Sequence, residues 1–526
     1  MARRRFDIYG TRGDQLMIDL SESANPYSDE RRIGVQAVFE LVDVDFTTNI
    51  TATSDNISSF ANISETYDKI SAMGDCFATL EPNYWLLDGK FGLIEDNVYE
   101  ICYWSDTLSD STGAITANIE FTFNKPKSSE AFTFIFDNKA HEVASDFTVT
   151  VYNAQNTVLG TKSITGNTAE TAVVKLIANE YTKLKIEFTK TAIPKRRIRL
   201  CEVIFGEIKT LTDDEISAVD VEYLTSVDSS SQPSSQINLT INNANKEYNF
   251  INPTGVYAFL QKGQGINVTV YINSVPVNLG RFYFDNATSD DNSMTAKLTG
   301  YDRFYPLDNK IYNDGADGTW TVLEAIADII LKSGMDININ IPDIVASTVI
   351  GKNIPLGTSC REALRLVAQA AKSVCYFDRN NVLIFKQPDL TAYGIFLNND
   401  MMSQYPKITD TGLINKVILT VKNDFVKNGS DTVYTVSNKK AMEQEVALNV
   451  DNPLVRDETV ANWLLKLAAY RVQYDISERG NPALEMLDVA KIADIYNENR
   501  NAIIVRNALK LGIGLSGELR MVAPND

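Results

Sequence analysis

The chain has 526 residues, 44% hydrophobic and 22% charged, which is too long for one core and too ordinary in composition for a disordered or fibrous protein. Its 49 basic and 68 acidic residues leave a net charge of −19, which repels phosphate backbones and argues against nucleic-acid binding through any extended face. A single histidine, His141, and five scattered cysteines (Cys76, Cys102, Cys201, Cys360 and Cys375, with no C-x-x-C pair) leave no multi-histidine metal site, zinc ribbon or disulfide framework to expect.

No apolar run approaches the roughly 20 residues of a membrane span. MARRRF carries the charge of a signal peptide's start, but IYGTRGDQLMIDL behind it is no apolar core, so synthesis in a cytoplasm without signal-peptide export is expected.

Residues 1–35 are polar and turn-rich and read as an arm. GVQAVFELVDVDFTTNITA (34–52) alternates apolar and polar residues with many β-branched ones, which predicts one long strand or two. From about 78 to 208 the chain is nearly all strand: IEFTF, FTFIFD, DFTVTVYNA, TAVVKLI, KLKIEF and RLCEVIFGEI follow at short intervals. Strands without intervening helices predict a jelly-roll β-sandwich. Within this region KRRIR (195–199) reads as a strand with one solvated side.

The Ser-rich stretch TSVDSSSQPSSQ (225–236) is followed by clean alternation in SSQINLTINN, so it reads as a loop between two strands of one sheet. INVTVYI, VNLGRFYFDNATSDD and MTAKLTGYDRF continue a second β unit to residue 305.

The period then changes. TVLEAIADIILKSG (321–334) places Val322, Ala325, Ile326, Ile329 and Ile330 on one helical face, with Thr321 and Glu324 as a capping box and Gly334 as the stop. SCREALRLVAQAAKS (359–373) repeats the design with Ser359 and Glu362, and the hairpin SVCYFD–RNN–VLIFK follows. Strands return in LINKVILTVKND and SDTVYTVSN. One further helix is expected over 457–472, burying Val460, Trp463, Leu464 and Leu467, before a closing meander of DVAKI, NAIIVRNALKLG and LSGELRMV.

Candidate chemistry is sparse. NDGADGTWTVLE (313–324) has the length of a calcium loop, with Asn313, Asp317 and Glu324 in ligand positions. However, Gly315 offers no ligand atom, no helix precedes the loop, and Glu324 already serves as a cap. SDDNS (289–293) reads as a hairpin tip. There is no G-x-S-x-G elbow, no P-loop and no G-x-G-x-x-G after a strand, so no catalytic residue, cofactor or metal is assigned and the chain is expected not to be an enzyme. Tyr84, Trp85 and Trp104 stand at the entrance of the sandwich. Exposed, they would stack on sugar faces; buried, they would plug its open end. RGNPALEMLDVAKI (479–492) gathers Arg479, Glu485 and Asp488 around a Gly and a Pro. It reads as a turn into a strand, with Leu484 and Leu487 pinned to the core and the acids facing water or a neighbouring chain.

The order of these parts carries a resemblance. ATLEPNYWLLDG leading to YWSD and a sandwich ending in RLCEVIFGEI resembles a discoidin-like or carbohydrate-binding-like domain inserted in tail proteins of phages and prophages from Gram-positive bacteria. INLTINNANKEYNFINPTGVYAFLQKGQGINVTVYI with LGRFYFDN and LTGYDRF resembles the first tube-like β domain of tail hub proteins. SCREALRLVAQAAKSVCYFDRNNVLIF is similar to their helix–hairpin unit, and DNPLVRDETVANWLL through GLSGELRMV to their second tube-like domain.

The resemblance implies a mainly β, multi-domain α+β chain. Its parts are an N-terminal extension (1–35), a first tube-like β domain split between 36–75 and 211–305, an inserted jelly-roll sandwich (76–210), a small α/β domain (306–395) and a second tube-like β domain with one helix (396–526). It further implies a structural hub or tip protein at the distal end of a phage tail, assembled in the host cytoplasm. Three chains with two β domains each would form a ring of sixfold pseudosymmetry. Its expected partners are its own copies, the distal tail protein ring, the tape-measure protein and a tip fibre or receptor-binding protein, with DNA passing unbound. The alternative is an adhesin that binds host cell-wall glycan through the 76–210 sandwich. One departure concerns the closing turn: the family usually has Gly before the Asp, whereas this chain has Leu487 before Asp488, so a turn without a left-handed glycine is expected there.

Overall fold

Alternation of large apolar and polar residues along two long strands sets the architecture of the first unit. The computed structural model describes residues 26–27, 31–42, 50–58, 61–67, 102–137, 140–246, 260–290, 292–313, 318–335, 337–391, 394–422, 431–493, 495, 499–512 and 514–525. The chain divides into two compact units: Phe39–Lys209 lies in the first, and Thr210–Lys246 with Gly265–Asp526 and the described residues before Phe39 in the second. It is mainly β, as expected, and no described helix is long and apolar enough to cross a membrane.

In the first unit the strands Ala114–Phe136 and Thr171–Thr191 form a long antiparallel pair whose register shifts repeatedly between Thr122 and Ala131. The irregular stretch lets the two halves take different neighbours. Ala144–Tyr152 pairs with the far half of Thr171–Thr191, and Arg199–Ile204 pairs with the end of Ala114–Phe136. Inward positions are aromatic: Phe121, Phe132, Phe134, Phe136, Phe147, Phe188 and Phe205 are all buried. Several meet edge to face, such as Phe121 on Phe205 and Phe134 on Phe147. Each buried ring contributes about 2–3 kcal/mol by leaving water, so this interior is a dry, aromatic β-sandwich core.

Two expectations are corrected in this unit. Ile50–Thr53 pairs antiparallel with Glu120–Phe123, so the chain enters the sandwich well before residue 76. KRRIR is not a strand with a solvated side: residues 195–198 lie outside the strand, Lys195 takes φ 58°, and the strand begins at Arg199, whose side chain is fully buried.

The main sheet of the second unit runs in the order Lys407–Asp410, Val472–Glu478, Leu515–Ala523, Asn501–Leu511, Ile216–Leu224, Gln236–Asn242, Thr295–Tyr301, Val275–Asp290, Gly265–Ile272 and residues 33–38. Two sets of antiparallel strands, one from each half of the chain, thus join where Val219–Leu224 pairs with Arg506–Leu511. The Tyr223 hydroxyl donates to the Leu279 carbonyl although two strands lie between their own. Strands sit about 4.8 Å apart, so only a strongly curled sheet lets one side chain bridge that gap. The loop 225–236 does connect two paired strands, Ile216–Leu224 and Gln236–Asn242.

Helix Val322–Ser333 has the expected Thr321–Glu324 capping box and a left-handed Gly334 at φ 67°. Helix Cys360–Ala370 starts on Ser359, which accepts from the Glu362 amide, but the Glu362 carboxylate turns forward to Arg365 instead of back to the cap. These helices and the hairpin Val374–Phe377/Leu383–Lys386 share one core with Val417, Leu419, Leu454, Val460 and Leu464. The apolar faces of Lys416–Val421 and helix Thr459–Leu467 therefore complete the small α/β layer instead of the second tube-like domain. That last helix is shorter than expected. It stops at Leu467, Val472 already opens a strand, and Trp463 is only half-buried while Leu465 is buried.

Candidate functional site

Sequence reading left the turn 479–492 as the polar cluster to explain. Gly480 takes φ 90°, and a Cβ there would meet Leu515 Cγ at 2.6 Å, so only glycine fits the approach of this turn to the 515 hairpin. Leu484 and Leu487 are buried, as read. The acids do not simply face water. Glu485 lies 3.7 Å from the buried guanidinium of Arg379, and Asp488 lies 3.5 Å from Lys386 while accepting the Glu485 amide at 2.9 Å. Burial raises the Glu485 carboxyl above its ordinary range, and Arg379 partly offsets this.

Arg379 gathers three parts of the second unit. Its Nη2 donates to the Leu484 carbonyl (2.7 Å), its own carbonyl accepts from Asn278 Nδ2 (2.7 Å), and its guanidinium lies over the Tyr223 ring at 4.9 Å. Asn507, on the strand Asn501–Leu511, donates to the same Leu484 carbonyl. The hairpin tip carrying Arg379 therefore links the first strand set (Tyr223, Asn278) to the second (Leu484, Asn507). A buried Arg–Glu contact at this length is a positioning device and not an acid–base pair, because the guanidinium cannot deprotonate.

Arg479 turns to the N-terminal segment. Its Nη1 donates to the Tyr27 carbonyl (3.0 Å), while Arg31 Nη2 donates to the carbonyls of Arg479 and Leu515, both at 2.6 Å. Tyr27 sits against Glu478, whose carboxyl burial pushes upward. Tyr27 and Arg31 are thus latched onto the turn, a contact for which the polar arm gave no signal beyond its arginines.

In the first unit, Tyr84 and Trp85 lie outside the described residues. Trp104 is 1% exposed and packs between the Arg199 guanidinium, 4.1 Å from its ring, and the thiols of Cys102 and Cys201. It has no open face to offer a sugar. Arg199 in turn is ion-paired with Glu142, both fully buried. Sequence reading missed this pair because Arg199 sits in a basic run and Glu142 follows the lone histidine. His141 itself is exposed and paired with Glu170 at 2.7 Å, not with a nucleophile. Asn313 of the calcium-like loop accepts from the Gly357 amide and Glu324 caps its helix, while residues 314–317 lie outside the described residues. Among the described residues no group of three His, Cys, Asp or Glu could hold a metal.

No protein-family description matches the chain, and no curated protein matches it. Among solved structures it is similar to the 43 kDa tail protein of prophage MuSo2 from Shewanella oneidensis, at 14% identity over 60% of this chain and 96% of that one, with a TM-score of 0.42. It is similar to the tail protein from Neisseria meningitidis MC58 at 13% identity over 60% and 94%, with a TM-score of 0.43. The inserted sandwich is similar to chitosan-binding module 1 of a chitosanase/glucanase from Paenibacillus sp. IK-5, at 14% identity over 30% of this chain and 93% of that module, with a TM-score of 0.20.

Proposed function

We propose that this chain is a structural hub of a phage tail or tail-like particle, three copies of which form a ring at the distal end of the tube. The observation that carries the reading is the pairing of Val219–Leu224 with Arg506–Leu511, which joins two β domains edge to edge within one chain. Three such chains joined the same way supply six β domains, the number a hexameric tube meets. The sheet ends on an edge strand, Lys407–Asp410, whose four residues are all exposed, including Ile408 at 44%. An open edge with an apolar residue is a template for the next copy, and a heterologous contact that closes makes a ring. In that ring the distal tail protein, the tape-measure protein and a tip fibre would dock on the hub, and the excess acid would keep passing DNA from sticking.

Light scattering across a concentration series tests this. A trimer mass that falls to a monomer in Ile408→Asp supports the ring; a monomer at every concentration for the unaltered chain overturns it as a self-assembling unit.

A further inference from the structure

In the first unit, Cys102 and Cys201 are 99 residues apart in sequence, yet their sulfurs lie 3.7 Å from each other. They flank a directly paired segment: Tyr103 stands opposite Leu200 and Trp104 opposite Arg199 on antiparallel strands, which sets Cys102 opposite Cys201. Both thiols are buried in a small cluster of their own, with Trp104 and Ala61, apart from the aromatic core. Sequence spacing gave no sign of a pair, because the two cysteines belong to no local motif.

We propose that Cys102 and Cys201 are a latent disulfide that closes when the folded protein meets a peroxide. Hydrogen peroxide oxidises one thiol to a sulfenic acid, releasing one water. The second thiol then attacks that sulfur, forming the S–S bond and expelling a second water. Two S–H bonds and the O–O bond are lost, two electrons pass to peroxide, and no other reagent is needed. The contact requires little backbone movement, because directly opposed residues on antiparallel strands already hold their Cα atoms at disulfide range. The hydrogen bond with Cys102, and then burial, hold the Cys201 thiol above its ordinary range, so little of it is thiolate and the pair reacts slowly.

The bond would staple Cys102, with the short strand it adjoins, to the Arg199–Ile204 strand, closing a loop that spans most of the sandwich. The inference is independent of the hub reading.

The test uses the full folded chain, treated with a hydrogen peroxide series, quenched, unfolded, alkylated and digested. The expected result is a linked peptide pair containing Cys102 and Cys201, two hydrogens lighter than the separate thiols, and a rise of roughly 5–10 °C in the unit's melting transition that a reductant reverses. Cys201→Ala should abolish both. The proposal is overturned if both cysteines remain alkylatable while peroxide oxidises other residues, or if the link appears only after unfolding. The mass measurement on the unaltered chain decides the matter even if the variant does not fold.

Discussion

The Leu487 amide donates to the Ile504 carbonyl at 2.9 Å while the Leu487 backbone itself sits at φ 62°. The left-handed position expected to be absent without glycine is present, and a buried leucine occupies it. A leucine there costs on the order of 1–2 kcal/mol of backbone strain. Its burial among apolar neighbours, together with the Ile504 bond and the return bond from the Ile504 amide to the Asp488 carbonyl (2.8 Å), holds it in place.

This gives an unusual ranking. Leu487→Ala keeps the strain and loses the packing, about 2–4 kcal/mol, whereas Leu487→Gly loses the packing and also the strain. The glycine variant should therefore unfold at higher denaturant than the alanine variant, the reverse of the order at ordinary positions. Urea midpoints for the two decide it; alanine above glycine would mean the strain is negligible.

The junction around Arg379 makes a second prediction. Arg379→Ala leaves Glu485 without its cation and opens space beside Tyr223, so a loss of about 3–5 kcal/mol is expected. Arg379→Met with Glu485→Gln removes both charges and keeps the volume, and should recover a good part of that loss. A double-mutant cycle reads the coupling; additive effects would show that the 3.7 Å contact contributes nothing.

Much of this architecture was legible because its signals are local. The capping box at Thr321, the left-handed stop at Gly334 and the alternation in FTFIFD each need only neighbours in sequence. What escaped was set by distant partners. Arg199 looked solvated in its basic run until Glu142 and Trp104 enclosed it, and Val417 looked like tube-domain strand until the helix layer claimed its face. The turn at 479–492 was read correctly as a turn, but its carboxylates were assigned to water or a neighbouring chain because Arg379 and Lys386 stand a hundred residues upstream.

The N-terminal latch is testable without unfolding the protein. Arg31→Ala removes two short bonds to the Arg479 and Leu515 carbonyls, with little apolar burial lost. Limited proteolysis should then cleave near residues 26–32 several-fold faster while the global unfolding midpoint hardly moves. Unchanged cleavage would mean the arm is held by Tyr27 alone.

Asp302 supplies a pH dependence whose sign can be worked out. It is buried; its two oxygens accept the Ser235 amide (2.7 Å) and the Phe304 amide (3.0 Å), yet burial raises its carboxyl to about 6. Unfolded, it titrates near its ordinary 3.8. Because the folded value is the higher one, the folded state binds the proton more tightly. The group's contribution to stability is fully present below about pH 4 and is lost as pH rises through about 6, a change on the order of 3 kcal/mol. The Asn variant does not titrate. The stability of the unaltered chain relative to Asp302→Asn should therefore increase between pH 7 and pH 5. The Asn variant will itself be less stable, since its amide nitrogen must face one of the two N–H donors, so the difference and not the absolute value carries the test. Urea midpoints for both proteins at pH 5, 6 and 7 measure it. A difference that stays constant would show that Asp302 is ionised in the folded protein throughout this range, held so by its two backbone donors.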